Sequence, residues 1–191
     1  MFEIRELTSS DFKEIYRSYI KDDFPLMEMR PWFAIERSWE RDGYAAYGYY
    51  EDGEFAAYAS FYSSDSSPYV LLDYLGVVPK LRGSGIGSAF LRDLLPKIPS
   101  VGGIFAEAES PSSAKDEEEK NIRKSRIAFY LRNGAVKTGV SCQLFGVDYN
   151  ILYFPGNQRE MAQTDFFDTV CSFYQDIYRP VYGRLCKPYR Q

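Results

Sequence analysis

The 191-residue sequence contains no histidine. A serine or cysteine nucleophile worked by an imidazole base is therefore excluded, and so are zinc sites built on imidazole. Cysteine is scarce as well. Cys142, Cys171 and Cys186 are odd in number, widely spaced and without a CxxC pair, so they form neither a disulfide framework nor a metal set; three buried thiols in a reducing compartment are expected. No apolar run approaches the roughly 18 residues of a membrane span, and no secretory leader is visible, so a soluble, cytoplasmic chain with no membrane partner is expected. Strong charge is missing too. With 23 basic and 27 acidic residues the net charge is -4, which lacks the basic footprint of a nucleic-acid binder but admits a cationic substrate. Acid–base chemistry is left to carboxylates, tyrosines, lysines, thiols and backbone groups.

What is present is core-forming material. The chain is 45% hydrophobic and 17% aromatic, unlike a disordered chain, and its length fits one domain with at most an appendage. "FEIREL" alternates as a short edge strand, and "TSSDFKEIYRSYI" opens with capping residues and sets Phe12, Ile15, Tyr16, Tyr19 and Ile20 on one helical face. "DDFPLMEMRP" interrupts, and "WFAIERSWERDG" resumes a helix stopped by Gly43. "YAAYGYY" and "EFAAYASFYSS" flank "EDG" as a hairpin, and "YVLLDYLGVV" is apolar on both faces, as a central strand is. A helix over "SGIGSAFLRDLLPKI" leads to the strand "VGGIFAEAES", where Phe105, Glu107 and Glu109 share a face. One long helix over "SSAKDEEEKNIRKSRIAFYLRNGA" and a final strand pair, "VKTGVSCQLFGV" and "DYNILYF", follow. The order β-α-α-β-β-β-α-β-α-β-β-α implies an α/β (α+β) architecture, a mixed sheet with helices on its faces. Residues 1–155 form this domain. Residues 156–191 are an aromatic-rich helical extension, its helix spanning roughly residues 161 to 185, with Phe166, Phe167, Val170, Phe173, Tyr174, Ile177, Tyr178, Val181 and Tyr182 on one broad apolar surface. That surface is expected to pack on its own sheet or on a second subunit, as in a homodimer.

The segment "LLDYLGVVPKLRGSGIG", residues 71–87, joins the central strand to a helix. Closely spaced glycines before a helix let backbone amides approach an anion, and Arg82 adds a cation directly in front of them. A dinucleotide fingerprint fits poorly, although Glu107 lies about twenty residues on as it asks. Ser88 stands where its third glycine belongs, and Pro79 to Arg82 separate strand from glycines. A Walker loop fails because no GK[ST] follows.

In that context "LGVVPKLRGSGIG", with a proline just past an apolar strand and then R-x-x-G-x-G, resembles the acetyl-CoA signature of the GNAT N-acetyltransferase superfamily. "RIAFYLRNGA", residues 126–135, is similar to that family's A-x-x-F-Y-x-x-x-G-F helix end, and the element order agrees over residues 2–154. The resemblance implies the GNAT fold, with two adjacent parallel strands splayed around the cofactor. It implies direct acetyl transfer from acetyl-CoA to a primary amine in a ternary complex, the amine carried by a small molecule or a protein, with no metal. By the same resemblance the diphosphate lies at the amides of Gly83, Ser84, Gly85, Ile86, Gly87 and Ser88, beside Arg82. The pantetheine arm lies along Leu75, Gly76 and Val77, with an amide near Val77 facing the acetyl oxygen. Tyr130 occupies the position of the proton donor to the leaving thiolate.

The amine arrives as an ammonium and must lose a proton before it attacks. With no histidine, a carboxylate acting through water is the natural base; Glu107 matches the position of a glutamate used in several GNAT enzymes, with Glu109 and Asp73 as alternatives. Glu28 and Arg30, in "DDFPLMEMRPW", fall where the family builds its acceptor wall, so Glu28, Asp73 and Glu109 are the expected substrate-side carboxylates. The sequence departs from the family at Arg123, where many members carry an asparagine that contacts pantetheine, and in "SPSSAKDEEEK", which lengthens the connection after Glu107. A catalytically silent module that binds CoA as a sensor is the alternative within the same fold.

Overall fold

The structure, a computed structural model, describes residues 1–41, 43–99, 102–156, 166–179 and 181–191. The chain divides into two compact units, Met1–Tyr62 with Leu72–Pro99, and Ser63–Leu71 with Ser100–Gln191.

In the first unit β1 (Phe2–Glu6) pairs antiparallel with β2 (Tyr44–Glu51), which pairs antiparallel with β3 (Glu54–Ser63). Asp52 and Gly53 close the β2–β3 hairpin with φ of 50° and 88°, the left-handed pair that matches strand twist. α1 (Ser9–Ile15) starts on a complete capping box between Thr8 and Asp11. The expected single helix is instead interrupted by a π turn at Tyr16–Ile20 before α2 (Lys21–Asp23). α3 (Trp32–Trp39) follows. Phe12, Tyr16 and Ile20 meet Ile35, Tyr44, Ala46, Tyr58 and Tyr74 in one buried cluster, flanked by Trp32 and Trp39, so the apolar stripe read from the sequence does face a core. α4 (Ile86–Leu94) buries Ile86, Phe90, Leu91 and Leu94, with Phe90 stacked on Tyr49 at 4.8 Å.

β4 (Tyr69–Val77) belongs to both units: Tyr69–Leu71 to the second, Leu72–Val77 to the first. In the second unit its start lies beside β5 (Gly103–Glu109), with Gly102 N–H donating to Pro68 C=O at 2.9 Å and Tyr69 against Phe105. The strand order is β1-β2-β3-β4 in the first unit and β4-β5-β7-β6-β8 in the second. α4 lies between β4 and β5 along the chain. β7 (Val147–Phe154) pairs antiparallel with β5 and with β6 (Val136–Leu144). α5 (Glu117–Arg132) has Asp116 as N-cap, three glutamates in its first turn, and Gly134 at φ 97° just past its end.

β6 and β7 are not the last strand pair. α6 (Phe166–Ile177) is followed by β8 (Cys186–Arg190), which pairs antiparallel with β6 at the sheet edge. "CKPYR" carries a proline and two charges, tolerated on an edge strand but not legible as a strand from pattern. The helix expected over roughly residues 161 to 185 stops at Ile177, shortly before Pro180, since residues preceding proline disfavour the α region. The part of that expectation at residues 161–165 lies outside the described residues. α6 packs on its own unit's sheet: Phe173 contacts Tyr69 and Phe105, and Val170 and Tyr174 are fully buried. Cys142 and Cys186 are buried as expected, whereas Cys171 is only half-buried.

Candidate active site

In the first unit the site is organised by the turn after β4. Pro79–Leu81 make one 3-10 turn, and Arg82 to Gly85 are exposed before Ile86 enters the core. Gly83 and Gly85 take φ of 79° and 89°, a conformation that side chains resist. An added Cβ at either would meet nothing within 4 Å, so the glycines serve backbone shape, not tight packing. Gly85 caps α4 without a side-chain acceptor. The amides of Ile86 and Gly87 open the helix, where no intrahelical acceptor exists, and Ser88 N–H already donates to Gly85 C=O at 3.1 Å. Ser84 ties itself back through its hydroxyl to Leu81 C=O at 2.6 Å.

Arg82 does more than precede these amides. Its Nε donates to Val77 C=O at 3.0 Å, and its guanidinium pairs with Asp23 of α2. Asp23 accepts a second bond from Tyr58 Oη at 3.1 Å. Tyr58 is fully buried, with its phenol pushed up by burial and by the Asp23 charge. Its ring covers Gly76, where a Cβ would stand 2.3 Å from Cζ. Val78 N–H donates to Ala56 C=O on β3, so alternation turns Val77 toward the other edge, where its carbonyl takes Arg82. Leu75, Gly76 and Val77 are all half-buried. Asp23 and Tyr58 therefore brace both the loop and the strand end, and sequence reading missed them. The only local signal was the acid pair Asp22-Asp23, and nothing in it pointed to Arg82, 59 residues on.

The acceptor-wall candidates fall in the same unit. Glu28 ends a 3-10 turn at Leu26–Glu28 and is half-buried. Arg30 grips Asp73 through two contacts of 3.3 and 3.4 Å and lies 4.9 Å over the Tyr62 ring. Tyr44 Oη donates to Asp73 at 2.7 Å, Arg30 N–H to Tyr74 Oη at 2.6 Å, and Tyr16 Oη to Arg30 C=O at 3.0 Å. Burial first, then the Asp73 charge, push the Tyr44 and Tyr74 phenols up, so both stay protonated. The structure thus joins Arg30 to Asp73, a pairing the sequence did not indicate.

The second unit carries the other two candidate groups. Tyr130 on α5 is 8% exposed and packs edge-on against Phe129 and Phe154. Its hydroxyl has no hydrogen-bond partner among the described residues, yet it is not among the atoms sealed from solvent. Burial pushes the phenol up, against a smaller opposing effect of Arg126; the group is neutral and can donate. Glu107 on β5 is half-buried and accepts hydrogen bonds from Tyr174 and Tyr178 of α6. Glu109, 7% exposed, is held by Arg126 and approached by Arg123. Arg123 also binds Ser110 C=O at 2.8 Å, Ser113 Oγ at 3.1 Å and Glu119 at 3.0 Å. It fastens the turn that follows β5, and the acidic segment before α5 is a capped helix start. No group of ligating side chains suited to a metal ion occurs among the described residues.

A family model described as "Acetyltransferase (GNAT) family" matches residues 3–116, which takes in the glycine loop and Glu107 and ends before Tyr130. No curated protein matches the chain by sequence. Among solved structures, a GNAT-family acetyltransferase from Bacteroides thetaiotaomicron superposes with a TM-score of 0.69 at 19% identity, covering 92% of this chain and 98% of that one. The ribosomal-protein-S18-alanine N-acetyltransferase from Escherichia coli gives a TM-score of 0.60 at 17% identity, covering 86% and 99%. A spermidine N-acetyltransferase chimera from Vibrio cholerae gives 0.59 at 12% identity, covering 81% and 95%. At these identities the likeness is one of fold, and the fold is the mixed, mostly antiparallel one expected.

Proposed function

The chain belongs to the GNAT acetyltransferase family, and from that premise we propose that it is an acetyl-CoA-dependent N-acetyltransferase acting on a primary amine by direct transfer. The observation that carries the reading is the exposed loop Arg82–Gly85, with Gly83 and Gly85 left-handed, opening onto the amides of α4 within the family-matched residues. The residues fit the group. The glycines leave open space where side chains would intrude, a helix N-terminus suits a diphosphate, and the Tyr130 hydroxyl has no hydrogen-bond partner among the described residues. Of the segment Gly83 to Ser88, the amides of Gly83, Gly85, Ile86 and Gly87 would hold the diphosphate, since those of Ser84 and Ser88 already donate to Leu81 and Gly85 C=O, and the β4 edge at Leu75–Val77 would hold the pantetheine arm. Bound acetyl-CoA supplies the acetyl group as an activated thioester.

The chain's own residues then handle protons. Tyr130 Oη holds its proton at neutral pH and acts as the donor. Glu107 is the base for the acceptor ammonium. Asp73 and Glu109 are less suited, because taking up a proton there would dissolve an ion pair with Arg30 or Arg126. Glu28, with Arg30 on the same loop, borders the acceptor. Arg82, engaged with Asp23 and Val77, acts by shaping the loop as well as by its charge.

A thermal-shift comparison tests the cofactor. At one hundred times Kd, acetyl-CoA should add about 2.7 kcal/mol of stability, a rise of about 5–10 °C in Tm for a chain of this size, while NAD should add none. Stabilisation by NAD and none by acetyl-CoA would sink the assignment.

A further inference from the structure

Two hydroxyls from the C-terminal helix converge on a single oxygen of Glu107. Tyr174 Oη donates to Oε1 at 2.7 Å and Tyr178 Oη at 3.1 Å. The tyrosines stand four residues apart on α6 and just past its end, one turn of helix, with ring centroids 5.4 Å apart. Both are buried. Burial first and the Glu107 charge second push the Tyr174 phenol up, so it stays a donor. Cys142 on β6 also feels the Glu107 charge, and its thiol is held protonated chiefly by Cys186 and burial. The helix itself is anchored, by Phe173 against Tyr69 and Phe105 and by Asp176, which accepts from Ser66 Oγ at 2.7 Å.

We propose that Tyr174 and Tyr178 are positioning residues for the transfer reaction, fixing the Glu107 carboxylate in the orientation from which it takes the acceptor's proton. The proposal rests on the reading of Glu107 as the base. A glutamate side chain alone samples several rotamers; two donors on one oxygen, carried by a packed helix, select one and aim its lone pairs. In the step, an N–H bond of the acceptor ammonium breaks, an O–H bond forms on Glu107 directly or through one water, and both phenols keep their protons. A segment whose composition reads only as packing thereby acquires a working part.

The test is a double-mutant cycle on CoA-thiol release from acetyl-CoA by the full chain. The acceptor is the fastest of spermidine, an alanine-ended peptide and a lysine peptide. Tyr174→Phe with Tyr178→Phe should lower kcat about tenfold or more while leaving KM for acetyl-CoA within about twofold. With Glu107→Gln already present, the same pair should cost nothing further. Each single Tyr→Phe variant is measured alongside with its Tm, so the coupling stays readable if the double variant fails to fold. Equal losses in both Glu107 backgrounds would mark the tyrosines as structural and overturn the proposal. So would unchanged kcat in the tyrosine variants alongside a strong Glu107→Gln effect, which leaves the base assignment standing. Wild-type turnover in Glu107→Gln, or no turnover by the wild-type chain on any acceptor, overturns the base assignment and the proposal together.

Discussion

Tyr130→Phe is expected to lower kcat about a hundredfold, the usual contribution of a positioned proton donor, with little change in KM for acetyl-CoA and none in Tm. The separation of these effects follows from the side chain's surroundings. The ring supplies the packing, edge-on to Phe129 and Phe154, and phenylalanine keeps it. The hydroxyl has no hydrogen-bond partner among the described residues, so its removal orphans no buried group and costs no folding energy of the kind that usually accompanies a buried Tyr→Phe change. On the proposed reading that hydroxyl, a neutral phenol on an 8% exposed residue, gives its proton to the leaving thiolate. Steady-state kinetics with acetyl-CoA varied, alongside a melting curve, checks this. Unchanged kcat removes Tyr130 from the chemistry, and a large fall in Tm shows that the hydroxyl serves the fold after all.

Gly76→Ala is expected to destabilise the chain by about 2–3 kcal/mol, the cost of forcing a methyl group into a filled site. The new Cβ would stand 2.3–2.5 Å from Cζ, Oη and Cε1 of Tyr58. A tyrosine tip can often swing aside, but this ring is fully buried and its hydroxyl is bonded to Asp23, which is itself paired with Arg82. Moving the ring therefore disturbs α2 and the glycine loop together. Gly76→Val should cost more, and both variants should lose the acetyl-CoA thermal shift in proportion to the loop's displacement. Urea unfolding is the check: a lower midpoint at unchanged m means lost stability of the same folded state. A change under about 0.5 kcal/mol for Gly76→Ala, the range of an inert surface substitution, would show that Tyr58 is not held as described.

The two features most legible in the sequence are local ones. The loop at Arg82–Gly87 and the helix end at Tyr130 can be read from a dozen consecutive residues each, because strand, turn and helix chemistry act between near neighbours. The helical stripes of Phe12, Ile15, Tyr16 and Ile20 and the Asp52-Gly53 hairpin were legible for the same reason. What could not be read is the pairing of side chains far apart in the chain. Asp23 with Arg82, Arg30 with Asp73, and Tyr174 with Glu107 are separated by 59, 43 and 67 residues, and no periodicity encodes such partners. Asp73 and Glu109 therefore read as spare carboxylates, when each is paired with an arginine. The π turn at Tyr16–Ile20 leaves an apolar stripe that still reads as plain helix. β8 escaped because Lys187, Pro188 and Arg190 disguise an edge strand whose pairing is decided by β6.

The central claim is amine-dependent acetyl transfer, and its most direct measurement is CoA-thiol release from acetyl-CoA by the wild-type chain, with and without spermidine, an aminoglycoside, free amino acids, an alanine-ended peptide and a lysine peptide. The account predicts release that rises with at least one amine, saturates in both substrates and yields the N-acetylated amine by mass. Binding of acetyl-CoA with no amine-dependent release from any acceptor would contradict it, and would leave a cofactor-binding module in place of an enzyme.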